Sequence, residues 1–108
     1  QDNVINADTY VFPQIEKVQK LGERRIGLGT MGLGDALIKM KFRYGSEESL
    51  KVIDKIYKTI RDAAFESSCE IAREKGHFPK FDAKKYLQGH FIQKLPNAIR
   101  NKIKKWGI

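Results

Sequence analysis

The glycine spacing between residues 25 and 34 restricts the fold of this chain more than any other feature. Glycines at this density disfavour a helix, because each loses much backbone entropy on folding. We therefore predict a short strand over residues 25–30, with close backbone neighbours, that turns at Met31. The glycines recur at alternating or near-alternating positions, namely Gly27, Gly29, Gly32 and Gly34.

A single strand raises a physical difficulty. It cannot form a sheet, and its unpaired N–H and C=O groups are costly if they are buried. Either the strand pairs with strands outside these residues, or it is not a strand in this segment. Both alternatives indicate an incomplete unit, and Gln1 is not a translational start. We expect an internal segment of a longer chain.

The clearest periodic pattern lies between Ser46 and Gly76. Ser46 is a good N-cap, Glu47 and Glu48 place negative charge in the first turn, and Gly76 suits the position after a helix. These residues predict one helix over about 47–75. Its apolar residues keep a three-four spacing that predicts one buried face and requires a partner surface. That face comprises Leu50, Ile53, Tyr57, Ile60, Ala64, Ser67 and Ile71.

Shorter helices are predicted on both sides of this element. Gly22 would end the first of them, and Asp35 would open the second. The loop His77–Phe81 carries aromatic side chains that we expect to pin it to the core. The predicted short helices are Pro13–Leu21, Ala36–Met40, Ala83–Gln88 and Pro96–Trp106.

Composition limits the class of protein. The chain has 108 residues, enough for one small domain, and carries a net charge of +8, which favours attraction to anions. Its single cysteine excludes an intrachain disulfide and favours a reducing compartment. No apolar run approaches the roughly 20 residues that cross a bilayer. We predict a soluble, cytoplasmic protein without a membrane partner.

One short motif has a functional alternative. Residues 27–32 match G-x-G-x-x-G, the dinucleotide-binding fingerprint. That site needs an apolar strand feeding the glycines, whereas Ile26 is the only apolar side chain in residues 22–26, apart from the glycine. We favour a tightly packed strand and turn over a dinucleotide site.

The remaining candidate residues favour structural roles. Cys69 has no Lys, His or Cys at a spacing that would activate it, so packing is the preferred interpretation. His77 and His90 lack further ligands for a metal set, and Glu47 and Glu48 are explained by helix capping. We assign no catalytic, cofactor-binding or metal residue to this segment.

The C-terminal basic run permits one rival function. Such runs are usually solvated helix faces, but a small basic nucleic-acid-binding module is the alternative that we retain. We expect direct nucleic-acid binding to be the weaker interpretation. The run comprises Lys94, Arg100, Lys102, Lys104 and Lys105, with Trp106 beside it.

Several segments, in the same order, resemble the large catalytic subunit of ribonucleotide reductases. Arg24–Asp35 is similar to that family's R-R-I-G-L-G-x-M-G-L-A-D, and Tyr44–Glu48 to its loop before a long helix. Ser68–Gly76 resembles S-x-E-L-A-K-E-K-G, Phe78–Asp82 resembles F-P-x-F, and Asp2–Asn6 resembles D-N-V-I-D. The likeness covers nearly the whole chain, and Lys85–Ile108 looks most like the adenosylcobalamin-dependent class.

This resemblance implies the fold and the activity of a parent enzyme. The expected fold is a mostly α segment, residues 1–108, of a ten-stranded α/β barrel. The family reduces ribonucleotides with a thiyl radical on a finger-loop cysteine, and a cysteine pair supplies the electrons. Those cysteines lie upstream of this segment in the family, and a phosphate-binding loop lies downstream. We therefore expect scaffold here, inactive alone.

The resemblance also implies partners for the parent. They are the remainder of the barrel, a ribonucleotide di- or triphosphate substrate, deoxynucleotide effectors and a second copy in a homodimer. Adenosylcobalamin is the implied cofactor of the parent, and none is expected on this segment alone.

Overall fold

The computed structural model describes residues 1–108 as seven α-helices joined by loops, without a β-strand. A π-helical turn, Gln19–Glu23, continues the second helix. The helices are α1 Asp2–Ala7, α2 Pro13–Val18, α3 Leu33–Lys39, α4 Glu47–Lys75, α5 Ala83–Leu87, α6 His90–Gln93 and α7 Asn97–Trp106.

Helix α4 begins and ends as its sequence predicts. The Ser46 hydroxyl accepts a hydrogen bond from the backbone N–H of Ser49 at 3.2 Å, which satisfies one of the free donors of the first turn. Gly76 follows the last turn with φ of +88°, a conformation that L side chains rarely adopt. The prediction of a helix over 47–75 is confirmed.

The core lies between α4 and the C-terminal helices. Ile103 of α7 and Cys69 of α4 are fully buried there. Across the same contact, the Lys102 ammonium binds the carboxylates of Glu66 at 2.5 Å and Glu70 at 3.1 Å. The cluster also contains Ile92, Leu95 and Ile99, with Phe65, Phe81, Tyr86, Leu87 and Ile108 packed against it.

The predicted buried face of α4 is wrong for this chain. The side chains that α4 buries here are those of Ser49, Cys69 and Ala72, whereas Leu50 and Tyr57 of the predicted face are 56% and 41% exposed. The reason is that α7 is short and packs beside only the C-terminal half of α4. The predicted face is thus only partly covered within residues 1–108: Ile53, Ile60 and Ala64 are half-buried, and the rest of the face is exposed.

The predicted strand over 25–30 does not form in this chain. No second extended segment lies beside these residues to exchange backbone hydrogen bonds with them, so they remain an irregular extended loop. No turn or bend is formed at Met31-Gly32; Gly32 instead has φ of +77° and directly precedes α3. Helix α6 was not predicted, because it carries neither a strong cap nor an amphipathic pattern, whereas α1 was indicated only by the likeness of Asp2–Asn6 to the family's helix end D-N-V-I-D.

Aromatic side chains fix the loop that follows α4, as predicted. The ring centroids of His77 and Phe81 lie 5.0 Å apart, and those of Phe78 and Phe81 lie 5.4 Å apart. Tyr86 of α5 completes the cluster at 5.5 Å from Phe81. Burial raises the pKa of the Tyr86 hydroxyl, because the phenolate would lose its hydration.

No helix of this chain is both long enough and apolar enough to cross a membrane.

Candidate functional site: the glycine-rich segment and its anchors

The glycine-rich segment, residues 24–32, runs between the π-helical turn and α3. Its residues 25–31 take part in no backbone–backbone hydrogen bond. Side chains hold it at three points instead. Gln1 Nε2 donates to the Gly27 carbonyl at 2.7 Å, Gln19 Nε2 donates to the Arg25 carbonyl, and the hydroxyls of Thr30 and Tyr57 lie 2.7 Å apart. The segment is therefore positioned by side chains, and the main-chain groups of residues 25–31, apart from the Arg25 and Gly27 carbonyls, form no hydrogen bond within the chain.

Apolar side chains on and around this segment are uncovered. Met31 is 99% exposed, and the exposed residues continue along α2. Exposed apolar side chains in this number are typical of a contact with another protein surface. The exposed large apolar residues of this region are Val4, Val11, Phe12, Ile15, Val18, Leu21, Ile26, Leu28 and Met31.

Only one glycine of the segment is required by the geometry of this chain. Gly32 has φ of +77°, which strains any residue with a Cβ. A Cβ added at Gly27 or Gly29 would meet no atom within 4 Å. The alternating glycines are therefore not explained by any contact within residues 1–108.

The start of the glycine-rich segment is tied to two helices by a polar cluster. Asp2 of α1 accepts from the Arg24 guanidinium at 2.5 Å and from the Lys75 ammonium at 3.0 Å. Asn6 and Asn3 accept from Arg24 and Lys75 at 3.0 and 2.8 Å. We call these five residues the Asp2 cluster. The Arg24 backbone has φ of +49°, so the cluster also holds a left-handed residue in place.

The Asp2 carboxylate is electrostatically stabilised in this cluster. The hydrogen bond from Arg24 lowers its pKa below the model-compound value of 3.8, aided by Lys75 and opposed by partial burial. The ionised form is therefore favoured in the folded chain.

Replacing Asp2 with asparagine should lower the free energy of unfolding by about 1–2 kcal/mol at pH 7, because both cations lose their counter-charge. Since the pKa of Asp2 is lowered on folding, its contribution is present above its ordinary pKa and is lost as pH falls through the folded pKa. Urea unfolding at pH 7 and pH 3 measures both effects.

The matched control for this variant is Asp8→Asn, since Asp8 lies just after α1, is exposed and forms no ion pair. We expect a change within about 0.5 kcal/mol for this control. Equal losses for the two variants at pH 7, or a loss for Asp2→Asn that does not shrink at pH 3, would contradict the assigned role.

The candidate site residues named from the sequence do not lie together in one site. Cys69 is fully buried, and burial raises the pKa of its thiol, which disfavours the nucleophilic thiolate. His77 packs on Phe81, whereas His90 opens α6. No group of three or more His, Cys, Asp or Glu side chains lies close enough to hold a metal ion.

The basic C-terminal residues divide between two sides of α7. Lys102 turns inward to Glu66 and Glu70, and this pairing raises the pKa of its ammonium. The Lys105 ammonium lies 5.0 Å from the centroid of the Trp106 ring. Arg100 and Lys104 instead line a surface groove with polar neighbours.

Comparison with protein families shows the family of this chain. The family described as ribonucleotide reductase, barrel domain, matches residues 1–108. The chain belongs to the ribonucleotide reductase family. The resemblance carried by the glycine-rich segment and the end of α4 is thereby confirmed.

Curated relatives agree with this ribonucleotide reductase assignment. The vitamin B12-dependent ribonucleoside-diphosphate reductase of Thermoplasma acidophilum is 41% identical over 72% of this chain. The enzyme of that name from Mycobacterium tuberculosis is 34% identical over 81%, and the ribonucleoside-diphosphate reductase large subunit of Danio rerio is 33% identical over 99%. The chain spans only 10%, 12% and 15% of these relatives' lengths.

Sequence reasoning missed the anchors of this reductase segment. Asp2 and Lys75 lie 73 residues apart, and nothing in the local pattern of either residue indicates the other. The one available signal was Gly22, two residues before Arg24, since glycine marks positions where the chain often changes direction.

Proposed function

We propose that residues 1–108 form part of the wall of a ten-stranded α/β barrel in the catalytic chain of a ribonucleotide reductase. The observation that carries this proposal is that residues 25–31 form no backbone–backbone hydrogen bond and lie beside exposed Ile26, Leu28 and Met31. Flanking strands would supply partners for the N–H and C=O groups, and covering layers would bury the side chains. In the complete chain residues 25–30 are then a strand.

The long helix supports the same arrangement. Its sequence carries an apolar face that includes Leu50, Tyr57 and Ile71, and all three are more than a third exposed here. The helices of an α/β barrel bury such a face against the strands. We propose that α4 covers strands contributed by the rest of the polypeptide, at the face predicted from its periodicity.

We propose that the complete chain makes deoxyribonucleotides from ribonucleotides by thiyl-radical chemistry. The relatives that match most of this segment are named as ribonucleoside-diphosphate reductases, and both di- and triphosphates are substrates to assay. The buried thiol of Cys69 is unsuited to radical transfer with a substrate. The catalytic cysteines are therefore assigned outside residues 1–108, and this segment acts as scaffold.

Adenosylcobalamin is the cofactor that we propose for the complete chain, since two relatives are named as vitamin B12-dependent. The residues of this segment do not fit it. Two open surface grooves of about 330 and 480 Å³ are lined mainly by charged and polar side chains, and neither encloses a corrin ring. We assign the cofactor, the nucleotide effectors and any homodimer contact to the part of the complete chain outside residues 1–108. We propose that the complete enzyme is cytoplasmic.

Hydrogen exchange in the full-length reductase tests the strand directly. If residues 25–30 pair with neighbouring strands, their amides should be protected at least about a hundredfold relative to an unstructured peptide, as buried sheet amides are. The amide of Gly45, at a turn, serves as the exposed reference. If the amides of residues 25–30 exchange as fast as the amide of Gly45, the proposal is wrong.

The variant Gly29→Ala should lower the turnover of the full-length enzyme by about tenfold or more, because a Cβ there would displace a closely packed neighbouring strand. In the 108-residue chain the same change should alter the free energy of unfolding by less than about 0.5 kcal/mol, since nothing lies within 4 Å of that Cβ. Ribonucleotide reduction with added adenosylcobalamin measures the first effect, and urea unfolding the second. Turnover and substrate affinity equal to those of the parent enzyme would contradict the close approach.

A further inference from the structure

A groove on the C-terminal part of the chain is lined by cationic and amide side chains. It has a volume of about 480 Å³ and lies where the ends of α5 and α6 meet α7. No carboxylate lines it, and residues 83–108 contain seven Lys and Arg but no Asp or Glu. The lining residues are Leu87, Gln93, Arg100, Asn101 and Lys104.

The Arg100 guanidinium is held in place at the edge of this groove. It donates to the Gln93 carbonyl at 3.3 Å and to the Asn97 side-chain oxygen at 2.9 Å. Gln93 is itself fixed, since its side chain donates to the Gln88 carbonyl at 3.3 Å. Neither partner of Arg100 is charged, so its positive charge is uncompensated and its other N–H donors remain available.

Lys104 lies one helical turn after Arg100, on the same face of α7. It forms no ion pair, in contrast to Lys102, whose charge is satisfied by Glu66 and Glu70 on the opposite side. Asn101 also lines the groove and adds an amide donor. The groove thus offers a guanidinium held by two hydrogen bonds, an exposed ammonium and an amide, with an apolar contact at Leu87.

We propose that this groove binds the phosphate group of a small phosphorylated molecule. A planar guanidinium donates to two phosphate oxygens at once, and a lysine one turn away adds a second positive charge. Two cations match one or two phosphate groups, whereas a nucleic-acid strand would need a longer basic track along the surface. The proposal rests on residues 87–104 alone and does not depend on the barrel assignment.

Lysine labelling in the full-length protein tests the site without interference from other nucleotide sites. The protein is treated with acetic anhydride with and without 5 mM pyrophosphate at matched ionic strength, and labelling is read by mass spectrometry. We expect Lys104 to be labelled at least about threefold more slowly in pyrophosphate. The matched control is Lys51, an exposed lysine of α4 without an ion pair, and its rate should not change.

Variants of Arg100 and other ligands test which groups bind the phosphate. Arg100→Gln should abolish the protection of Lys104, and Arg100→Lys, which keeps the charge, should restore part of it. ATP should protect as pyrophosphate does. Equal protection of Lys51 and Lys104, protection that persists in Arg100→Gln, or protection by single-stranded DNA without protection by pyrophosphate would each overturn the proposal.

Discussion

Replacing Ile103 with alanine should lower the free energy of unfolding of this chain by about 3 kcal/mol. Ile103 is fully buried where α7 packs on α4, beside the buried Cys69. The variant removes three carbons from this contact and leaves a cavity that two packed helices cannot close. For a domain of this size the loss corresponds to a fall in melting temperature of about 12–24 °C.

The control for this prediction is the same substitution at an exposed position. Ile38 of α3 is 70% exposed, so Ile38→Ala should change the free energy of unfolding by less than about 0.5 kcal/mol in the 108-residue chain. Urea unfolding followed by circular dichroism at 222 nm measures both variants. Losses of similar size at the two positions would show that the α4–α7 contact is not the main source of stability.

The helix α4 shows which features of this fold can be predicted from the sequence. Its ends depend on groups within one turn, the Ser46 hydroxyl at the start and Gly76 with its positive φ at the end. The sequence around each end therefore predicted both ends correctly. Its buried face depends on which partner is present. The α4 sequence carries two apolar faces, and the one around Phe65 and Cys69 is selected because Ile99 and Ile103 of α7 lie against it.

The glycine-rich segment shows the complementary case. Its composition correctly excluded a helix, but a strand is defined by hydrogen bonds to a second strand, and residues 1–108 offer none. The Asp2 cluster was also beyond prediction, because its members come from α1, from the start of the glycine-rich segment and from the end of α4. Family membership was predictable, since it rests on the order of several short motifs rather than on any contact.

The basic C-terminal residues were predictable in number but not in role. Their charges are evident from the sequence, yet Lys102 faces Glu66 across the helix contact while Lys104 faces solvent. Each residue advances by about 100° around an α-helix, so two lysines two positions apart point in directions that differ by about 160°. Which side becomes the interior is decided by Ile99 and Ile103, and therefore by α4.

Replacing Gly107 with alanine should be about as harmful as the loss of Ile103, for a different reason. Gly107 ends α7 with φ of +85° and ψ of −157°, a region that residues with a Cβ avoid at a cost of about 1–3 kcal/mol. The added Cβ would also overlap the Cβ of His77 and lie 3.1 Å from its Cγ. No side-chain rotation relieves an overlap with a Cβ, so the backbone must shift.

Such a shift would disturb the hydrogen bond from the Phe78 N–H to the Ile108 carbonyl, which joins the loop after α4 to the end of the chain. We expect a total loss of about 3 kcal/mol in the free energy of unfolding. The matched control is Gly45→Ala, since Gly45 has φ of +83° but no atom within 4 Å of an added Cβ. That variant should lose only about 1 kcal/mol, the cost of the left-handed conformation.

A double variant separates the two contributions at Gly107. The change His77→Gly removes the atom that the new Cβ would overlap, so Gly107→Ala should cost about 1–2 kcal/mol less in that background than in the parent chain. Urea unfolding of the four members of this cycle gives the difference. If Gly107→Ala costs the same with and without the His77 side chain, backbone strain alone explains the loss, and the close contact between the end of α7 and the loop after α4 does not contribute to stability.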